Sequence, residues 1–162
     1  MNDLEQEFLK LVDEYRSLLY KVCLMYESEW QTHEDLMQDV IVNLWRAYPT
    51  FRKEVKVSTW IYRVALNTCI SQFRKRQSRP DTMPLKYNFD ILADDDEDAK
   101  ARVKELYRMI GMLAPMEKAV IMLWLDEKSY DEIAQVLGIT PSNVGARMTR
   151  IRAKLKQLSV NS

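Results

Sequence analysis

The sequence predicts an all-α protein made of two small helical domains joined by an acidic flexible linker. Its 162 residues include only 3 glycines and 5 prolines, and 47% are hydrophobic, so stable helices with buried cores can form. Apolar residues recur at spacings of three and four along most of the chain, which is the period of an amphipathic helix. A proline-containing acidic stretch near the middle lacks this period and predicts the linker.

The first predicted domain spans residues 1–78 and contains three helical stretches. These stretches lie near residues 4–26, 34–48 and 59–76. Ser58 or Thr59 is the predicted N-cap of the third stretch, because a hydroxyl there can accept a hydrogen bond from the first turn.

The linker is predicted over residues 79–96, and the second domain over residues 97–162. A run of five acids that begins at Asp94 favours an extended chain over a packed helix. The helices predicted in the second domain span residues 97–113, 116–125, 129–137 and 141–158.

Composition excludes several classes of site. Cys23 and Cys69 are far apart in the sequence, and the only histidine, His33, has no CxxC or HxxxH companion, so neither a disulfide framework nor a zinc site is predicted. The sequence also lacks a glycine-rich phosphate loop and a nucleophile–histidine pair, which argues against an enzyme and predicts no cofactor and no small-molecule substrate.

The first ten residues and the length of the longest apolar run predict a cytoplasmic location. The start, MNDLEQEFLK, is acidic where a signal peptide would be basic and then apolar. The longest apolar run, AVIMLWL, is too short to span a bilayer. We therefore expect a soluble protein of the reducing cytoplasm that is not itself a membrane protein.

Charge is unevenly distributed, although the formal net charge is zero. Residues 1–45 hold 3 basic residues against 10 acids, whereas residues 46–79 hold 9 against 1. Residues 80–100 are again acidic, and residues 143–157 carry 5 basic residues and no acid. Two basic surfaces are predicted, with an acidic strip between them.

A helix-turn-helix is predicted in SYDEIAQVLGITPSNVGARMTRIRAKLKQL. Ser129 and Glu132 form a capping box that opens a short helix, and small Ala134 suits a helix crossing. Gly138 suits the left-handed residue that ends this helix, and Pro141 suits the first turn of the next. The following helix has a predicted buried stripe of Val144, Met148, Ile151 and Leu155.

The opposite face of that helix suits the major groove of DNA. Arginine can bond guanine and asparagine can bond adenine, and the small residues Gly145 and Ala146 would allow close approach to base edges. Arg152, Lys154 and Lys156 would then serve phosphates. A solvated basic face is the alternative. The residues predicted to face DNA are Ser142, Asn143, Ala146, Arg147, Thr149 and Arg150.

The helix STWIYRVALNTCISQFRKR buries most of its aromatic residues, including Tyr62 and Phe73, on one broad side. Trp60 falls instead in the remaining polar wedge, where an exposed indole could stack on an unpaired base while cations hold its phosphates. The alternative is that Trp60 folds back onto the preceding loop as a lid over the core. The polar wedge also holds Arg63, Asn67 and Arg74.

The loop before this helix, residues 48–58, is basic and contains one phenylalanine, Phe51. Such a loop could receive an extruded base, with Arg52, Lys53 and Lys56 as phosphate anchors. A surface loop with Phe51 tucked inward is equally consistent with the sequence.

The helix EDLMQDVIVNLWRAY presents a different surface. Its predicted outer face is acidic and amide-rich with Val42 within it, which suits a basic protein partner better than DNA. A solvated helix face is the alternative. Trp45 is predicted on the buried side. The polar residues predicted to face this partner are Asp35, Gln38, Asp39 and Asn43.

Two blocks of the sequence resemble conserved regions of the sigma-70 family. EDLMQDVIVNLW and STWIYRVALNTCISQFRKR are similar to region 2, and SYDEIAQVLGITPSNVGARMTRIRAKL, preceded by MLAPMEKAVIML, is similar to region 4. By this resemblance the chain is identified as a member of the small extracytoplasmic-function (ECF) group, which has only these two regions. The resemblance covers nearly the whole chain apart from the linker.

The resemblance implies a bacterial transcription initiation factor that binds core RNA polymerase and directs it to specific promoters. The outer face of the region 2 helix, at 35–45, would dock on the clamp helices of the β′ subunit, and the β subunit is a second implied contact. The basic helix that starts near Trp60, with the loop before it, would melt the −10 element. The helix after Pro141 would read the −35 element as duplex, and an anti-sigma factor would cover the same surfaces.

One alternative is a dimeric helix-turn-helix regulator that acts without polymerase. It would account for residues 129–158, but it gives no role to the acidic face near residues 35–43 or to Trp60.

Overall fold

The computed structural model describes residues 2–76 and 97–160. The described residues form eight α-helices and one 3₁₀ turn, and no strand occurs among them, which confirms the all-α prediction. The chain divides into two compact units, Met1–Pro80 and Asp81–Ser162. The predicted linker, residues 79–96, lies outside the described residues.

Two helices occupy the N-terminal stretch that the sequence predicts as one. Helix α1 spans Asp3–Glu14 and is capped by Asn2, whose side chain accepts a hydrogen bond from the backbone N–H of Glu5 at 2.8 Å. Helix α2 spans Arg16–Met25. Tyr15 separates them because its backbone, at φ −103° and ψ 17°, leaves the helical region.

Helix α3 spans His33–Ala47 and continues into the 3₁₀ turn Tyr48–Thr50. Helix α4 spans Val57–Arg76 and so begins before both predicted N-cap residues, Ser58 and Thr59. The carbonyl of Lys56 accepts the first hydrogen bond, from the N–H of Trp60 at 3.1 Å, which places the start of the helix earlier than the hydroxyl signal suggests.

The core of the first unit lies where α2, α3 and α4 pack together. Cys23 on α2 and Cys69 on α4 are both fully buried there as thiols. Hydrogen bonding to Cys23, together with burial, raises the pKa of the Cys69 thiol well above its usual value. Two cysteines far apart in the sequence are therefore neighbours in the core. The largest side chains in this core include Leu19, Tyr26, Leu36, Leu44, Tyr62 and Leu66.

The second unit consists of α5 (Glu97–Gly111), α6 (Pro115–Leu125), α7 (Tyr130–Leu137) and α8 (Pro141–Val160). These bounds lie within about two residues of the predicted ones, which is the usual uncertainty of a helix end.

Helices α7 and α8 form the predicted helix-turn-helix. Ser129 accepts a hydrogen bond from the N–H of Glu132, and the Glu132 carboxylate accepts one from the N–H of Ser129, both at 3.1 Å. Gly138 ends α7 in the left-handed region with φ +70°, and Pro141 begins α8. The predicted buried stripe of α8 is confirmed for Val144, Met148 and Ile151, while Leu155 is half-buried.

Candidate functional site

Helix α8 presents a continuous polar face on the side opposite its buried stripe. Arg147 on this face is half-buried, and the other predicted residues are exposed. The face carries no acid, so it has the charge that the phosphate backbone of DNA requires. The exposed members are Ser142, Asn143, Ala146, Thr149 and Arg150.

Two side chains on this face are held by contacts within the helix. The guanidinium Nε of Arg147 donates to Oδ1 of Asn143, one turn earlier, at 2.8 Å. The hydroxyl of Thr149 donates to the carbonyl of Gly145 at 3.2 Å. The methyl group of an exposed threonine can contact the methyl of thymine.

Gly145 faces a neighbouring helix. A Cβ atom built at this position would lie 3.7 Å from the ring of Tyr130, the first residue of α7. The sequence suggests that this glycine allows close approach to base edges, but its side of the helix points toward α7.

Two cations at the far end of α8 are engaged inside the unit. Lys154 binds both carboxylate oxygens of Glu117 on α6 at 2.8 Å, and the guanidinium of Arg152 lies 5.8 Å from the ring centroid of Trp124. Arg152 and Lys154 therefore contact α6 while remaining exposed, and the expectation that they serve phosphates stays a prediction. Lys156, the third residue of that prediction, is exposed.

Glu117 links α6 to α8. Burial by itself raises the pKa of this carboxyl, but the hydrogen bonds from Lys154 and the Ala114 N–H and the charges of Lys154 and Arg150 outweigh it, so the pKa is lowered. Glu117 is thus a carboxylate at neutral pH and fixes the start of α6 against α8.

The neighbouring residue, Lys118, is 1% exposed. Burial lowers the pKa of its ammonium group from 10.5 to about 8. The sequence gives no sign of this, because Lys118 follows Glu117 in what reads as an ordinary charged pair.

Helix α4 carries the second basic face. Asn67 and Arg74 are exposed, and Arg63 is half-buried. The predicted phosphate anchors in the preceding loop, Arg52, Lys53 and Lys56, are all exposed. The structure thus leaves these cations accessible along one region of the first unit.

Trp60 does not lie on that face as an exposed indole. It is 8% exposed and stacks on Phe51, with ring centroids 4.6 Å apart and an interplanar angle of 26°. The ring centroid of Tyr48, in the 3₁₀ turn that follows α3, lies 6.3 Å from that of Trp60. The expectation of an exposed Trp60 is therefore wrong, and the alternative, a lid formed with the preceding loop, describes the structure.

The loop closes over Trp60 with one unusual backbone angle. Lys53 has φ +59°, in the left-handed region that β-carbon-bearing residues seldom adopt. Phe51, two residues earlier, is half-buried, so it is neither fully tucked inward nor fully projecting.

The outer face of α3 is only partly as predicted. Asp35 and Gln38 are exposed, whereas Asp39 is half-buried and accepts a hydrogen bond from Nε2 of Gln31 at 2.8 Å. Val42 is 46% exposed and extends the same stripe. This face combines a carboxylate, an amide and an apolar side chain.

Asn43 is placed differently from its prediction. Its Nδ2 donates to the hydroxyl of Thr68 on α4 at 2.9 Å, and that hydroxyl donates to the carbonyl of Val64 at 2.8 Å. The expectation that Asn43 faces outward is wrong because a polar partner on α4 draws it inward. Sequence reasoning missed Thr68 and Gln31, since neither has a local pattern that links it to α3.

The prediction that Trp45 lies on the buried side is wrong: its side chain is 37% exposed. Its ring packs against Phe8 of α1 with centroids 5.0 Å apart, so one side is covered and the other is at the surface. Trp45 and Val42 add apolar area to the α3 face.

No group of side chains that could hold a metal ion occurs in residues 2–76 and 97–160. Among the helices that the structure describes, none is long and apolar enough to cross a membrane.

Both units match known families and structures. The family model for sigma-70 region 2 matches residues 11–79, and the family model for sigma-70 region 4 matches residues 104–155. The ECF RNA polymerase sigma factor SigW of Bacillus subtilis is 29% identical over 168 residues, covering 94% of this chain and 89% of the relative. SigM of Mycobacterium tuberculosis, also an ECF sigma factor, is 25% identical over 153 residues, covering 93% and 76%.

Two solved structures share the fold. The sigma factor RpoE in complex with the anti-sigma factor NepR from Bartonella quintana gives a TM-score of 0.71 at 20% identity, over 98% of this chain and 97% of that one. CnrH in complex with the cytosolic domain of CnrY gives a TM-score of 0.68 at 22% identity, over 98% and 90%.

Proposed function

This chain belongs to the ECF group of the sigma-70 family, and we propose that its two units divide promoter recognition between the −35 and −10 elements. It is a bacterial transcription initiation factor and not an enzyme: it binds core RNA polymerase and directs it to specific promoters. It acts in the cytoplasm, where that polymerase works.

The observation that carries the proposal is the polar face of α8. This face has six accessible polar or small residues and no acid, and the capping box at Ser129 and the left-handed Gly138 set the angle at which α8 follows α7. A helix held in this way can enter the major groove of duplex DNA. The −35 element would be read by this face, while Arg152 and Lys154 stabilise the unit.

The −10 element would bind the basic face of α4 and the loop before it. Asn67 is an exposed amide between cations, which suits an unpaired base, and Arg74 suits a phosphate. Trp60 supports this surface from below, since its indole packs under Phe51. An extruded base would therefore first contact the loop and its half-buried Phe51. It would reach Trp60 only after passing them.

Core RNA polymerase would bind the outer face of α3. Asp35 and Gln38 are exposed, and Val42 adds apolar area next to them. Such a mixture suits a partner helix with basic and apolar side chains. Asp39 would contribute to polymerase binding with a carboxylate that also accepts a hydrogen bond from Gln31. Asn43 would contribute indirectly, because its hydrogen bond to Thr68 holds α3 to α4.

An anti-sigma factor is a further proposed partner. One structural neighbour is the sigma factor RpoE solved with the anti-sigma factor NepR, and the other is CnrH solved with the cytosolic domain of CnrY. A partner that covers the α3 face and the α8 face would block polymerase and promoter at once.

Run-off transcription tests the function directly. Purified core polymerase and this chain are incubated with a library of genomic fragments, and specific transcripts are sequenced. We expect a small set of promoters that share −35 and −10 elements. Absence of specific initiation with the cognate core would refute the proposal, and a homodimer that footprints a palindrome without polymerase would favour the alternative regulator.

A further inference from the structure

We propose that Arg147 reads a guanine in the −35 duplex and that Asn143 is the positioning residue that orients it. This inference rests on the proposed function of α8 and goes beyond it, because it assigns two neighbouring residues to one base pair. Taken from the sequence alone, the two would contact different bases independently.

The contact between the two side chains is short and direct. Nε of Arg147 donates to Oδ1 of Asn143 at 2.8 Å, across one helical turn. Asn143 is itself fixed at the start of α8, where its backbone N–H donates to the hydroxyl of Thr140 at 3.1 Å. Arg147 is half-buried on a face whose other members are exposed, which is consistent with a guanidinium that lies along the helix.

This bond leaves the outer edge of the guanidinium available. Arginine has five N–H donors in a planar fork, and the bond to Asn143 uses the one on Nε. The Nη groups have no hydrogen bond or ion pair to other described residues (2–76 and 97–160). Two parallel N–H donors match O6 and N7 of guanine, the commonest specific arginine contact in the major groove.

The same bond holds the Asn143 amide oxygen against the Arg147 guanidinium, so direct base reading by Asn143 would have to share that oxygen. A bidentate contact to adenine needs the amide oxygen as acceptor from N6 and the amide nitrogen as donor to N7. In this structure the oxygen already accepts from Arg147. Holding the long arginine side chain in one orientation also reduces the conformational entropy that is lost when DNA binds.

The test compares three variants in holoenzyme assembled from core polymerase and the full chain. Initiation is measured on a selected promoter in which every −35 base pair is varied in turn. Arg147→Ala should abolish a preference for guanine at one base pair. Asn143→Ala should lower the preference at that same pair by about 3- to 10-fold, the size expected for one hydrogen bond. Asn143→Asp keeps an acceptor for Nε and should restore it.

A second measurement examines the contact without DNA. In ¹⁵N NMR spectra of the full chain, the Arg147 Nε–H should exchange slowly with water in the wild type and in Asn143→Asp. It should exchange faster in Asn143→Ala, while the helix content by circular dichroism stays the same. A merely structural role for Asn143 would move the helix content instead.

Three results would overturn the inference. The first is an effect of Asn143→Ala on a different base pair, with Asn143→Asp shifting that pair toward cytosine, since this would make Asn143 a direct reader. The second is equal Nε–H exchange with and without the Asn143 side chain. The third is a wild-type holoenzyme with no specific transcripts, which refutes the proposed function and the guanine-reading role together, while the NMR result still decides whether the bond exists.

Discussion

Trp60 belongs to the hydrophobic core at the point where the loop before α4 folds back on the helix. Its indole is almost fully buried under Phe51 and close to Tyr48. The helical period places it beside Arg63 and Asn67, but Phe51 of the loop covers the indole while Asn67 stays exposed. We therefore propose that Trp60 would act on DNA only through the loop that it supports.

Trp60→Ala should destabilise the first unit by about 3 kcal/mol or more, because truncating a buried aromatic side chain leaves a cavity. Urea unfolding followed by circular dichroism measures this loss. Asn67→Ala is the matched control on the same helix: its side chain is exposed, so stability should change by less than about 0.5 kcal/mol.

The exposed position of Asn67 also allows a test in transcription. Asn67→Ala should reduce promoter opening, read with permanganate at unpaired thymines, without loss of polymerase binding. Equal stability of Trp60→Ala and the wild type would contradict the buried placement of the indole.

Lys118 should make the stability of the second unit depend on pH. Its pKa is about 8 in the folded unit and near 10.5 when exposed, so between these values the unfolded chain binds more protons than the folded one. The free energy of unfolding should then rise by up to about 3 kcal/mol as pH increases from about 8 to about 10.5. On return from pH 10.5 to pH 8 this increase should be lost.

Lys118→Met is the control for this pH dependence, because it removes the titrating group and keeps a side chain of similar length. Urea unfolding at several pH values between 7 and 10.5 gives the difference between the two proteins, in which the other lysines and the tyrosines cancel. A difference that does not change with pH would contradict the lowered pKa.

At the scale of secondary structure, the two glycines of the helix-turn-helix have different reasons to be glycine. Gly138 has φ +70°, a conformation that strains any residue with a Cβ atom. Gly145 lies inside α8 with ordinary helical geometry, and an added Cβ would meet the Tyr130 ring at 3.7 Å, a normal contact distance. Only Gly138 is required by its backbone.

Gly145→Ala should therefore stabilise the second unit by about 0.5–1 kcal/mol, through the higher helix propensity of alanine. Gly138→Ala should destabilise it by about 1 kcal/mol or more. Thermal unfolding of the two variants measures both effects. Since position 145 faces α7, Gly145→Ala should keep the −35 preference of the wild type; loss of that preference would show that DNA approaches this side of the helix.

Helices α3 and α4 are also joined by contacts that no local sequence pattern predicts. The bond from Asn43 to Thr68 ties the proposed polymerase-binding helix to the proposed −10 helix. The helical period correctly indicates the exposure of Asp35, Gln38 and Val42, because their surroundings are solvent. It fails for Asn43, because a hydroxyl on another helix offers a better partner than water.

At the scale of the whole molecule, we propose different partners for the different surfaces from the distribution of charge. The acid-free face of α8 and the cations around α4 suit DNA, while the outer face of α3 suits a protein. The acidic strip near residues 80–100 would repel DNA, so we expect the isolated chain to bind promoters weakly and the holoenzyme to bind them with strong salt dependence.

Gln38→Arg should separate polymerase binding from folding. It places a positive charge on the exposed face proposed to meet a basic partner, and should weaken binding of core polymerase by about fivefold or more. Binding is measured by fluorescence anisotropy of the labelled chain. Lys10→Glu, an exposed charge change on α1, is the control and should leave the affinity unchanged; similar loss in both variants would place the interface elsewhere.

Local sequence signals suffice for the all-α class and most helix ends, because capping boxes, a left-handed glycine and apolar periods act over a few residues of chain. The placement of Trp60, Asn43 and Gly145, and the contacts of the α8 cations with α6, follow only from the packed fold. They depend on the loop before α4, on Thr68, on Tyr130 and on Glu117. A side chain turns toward its best available partner, and that partner belongs to whichever element the fold brings next to it.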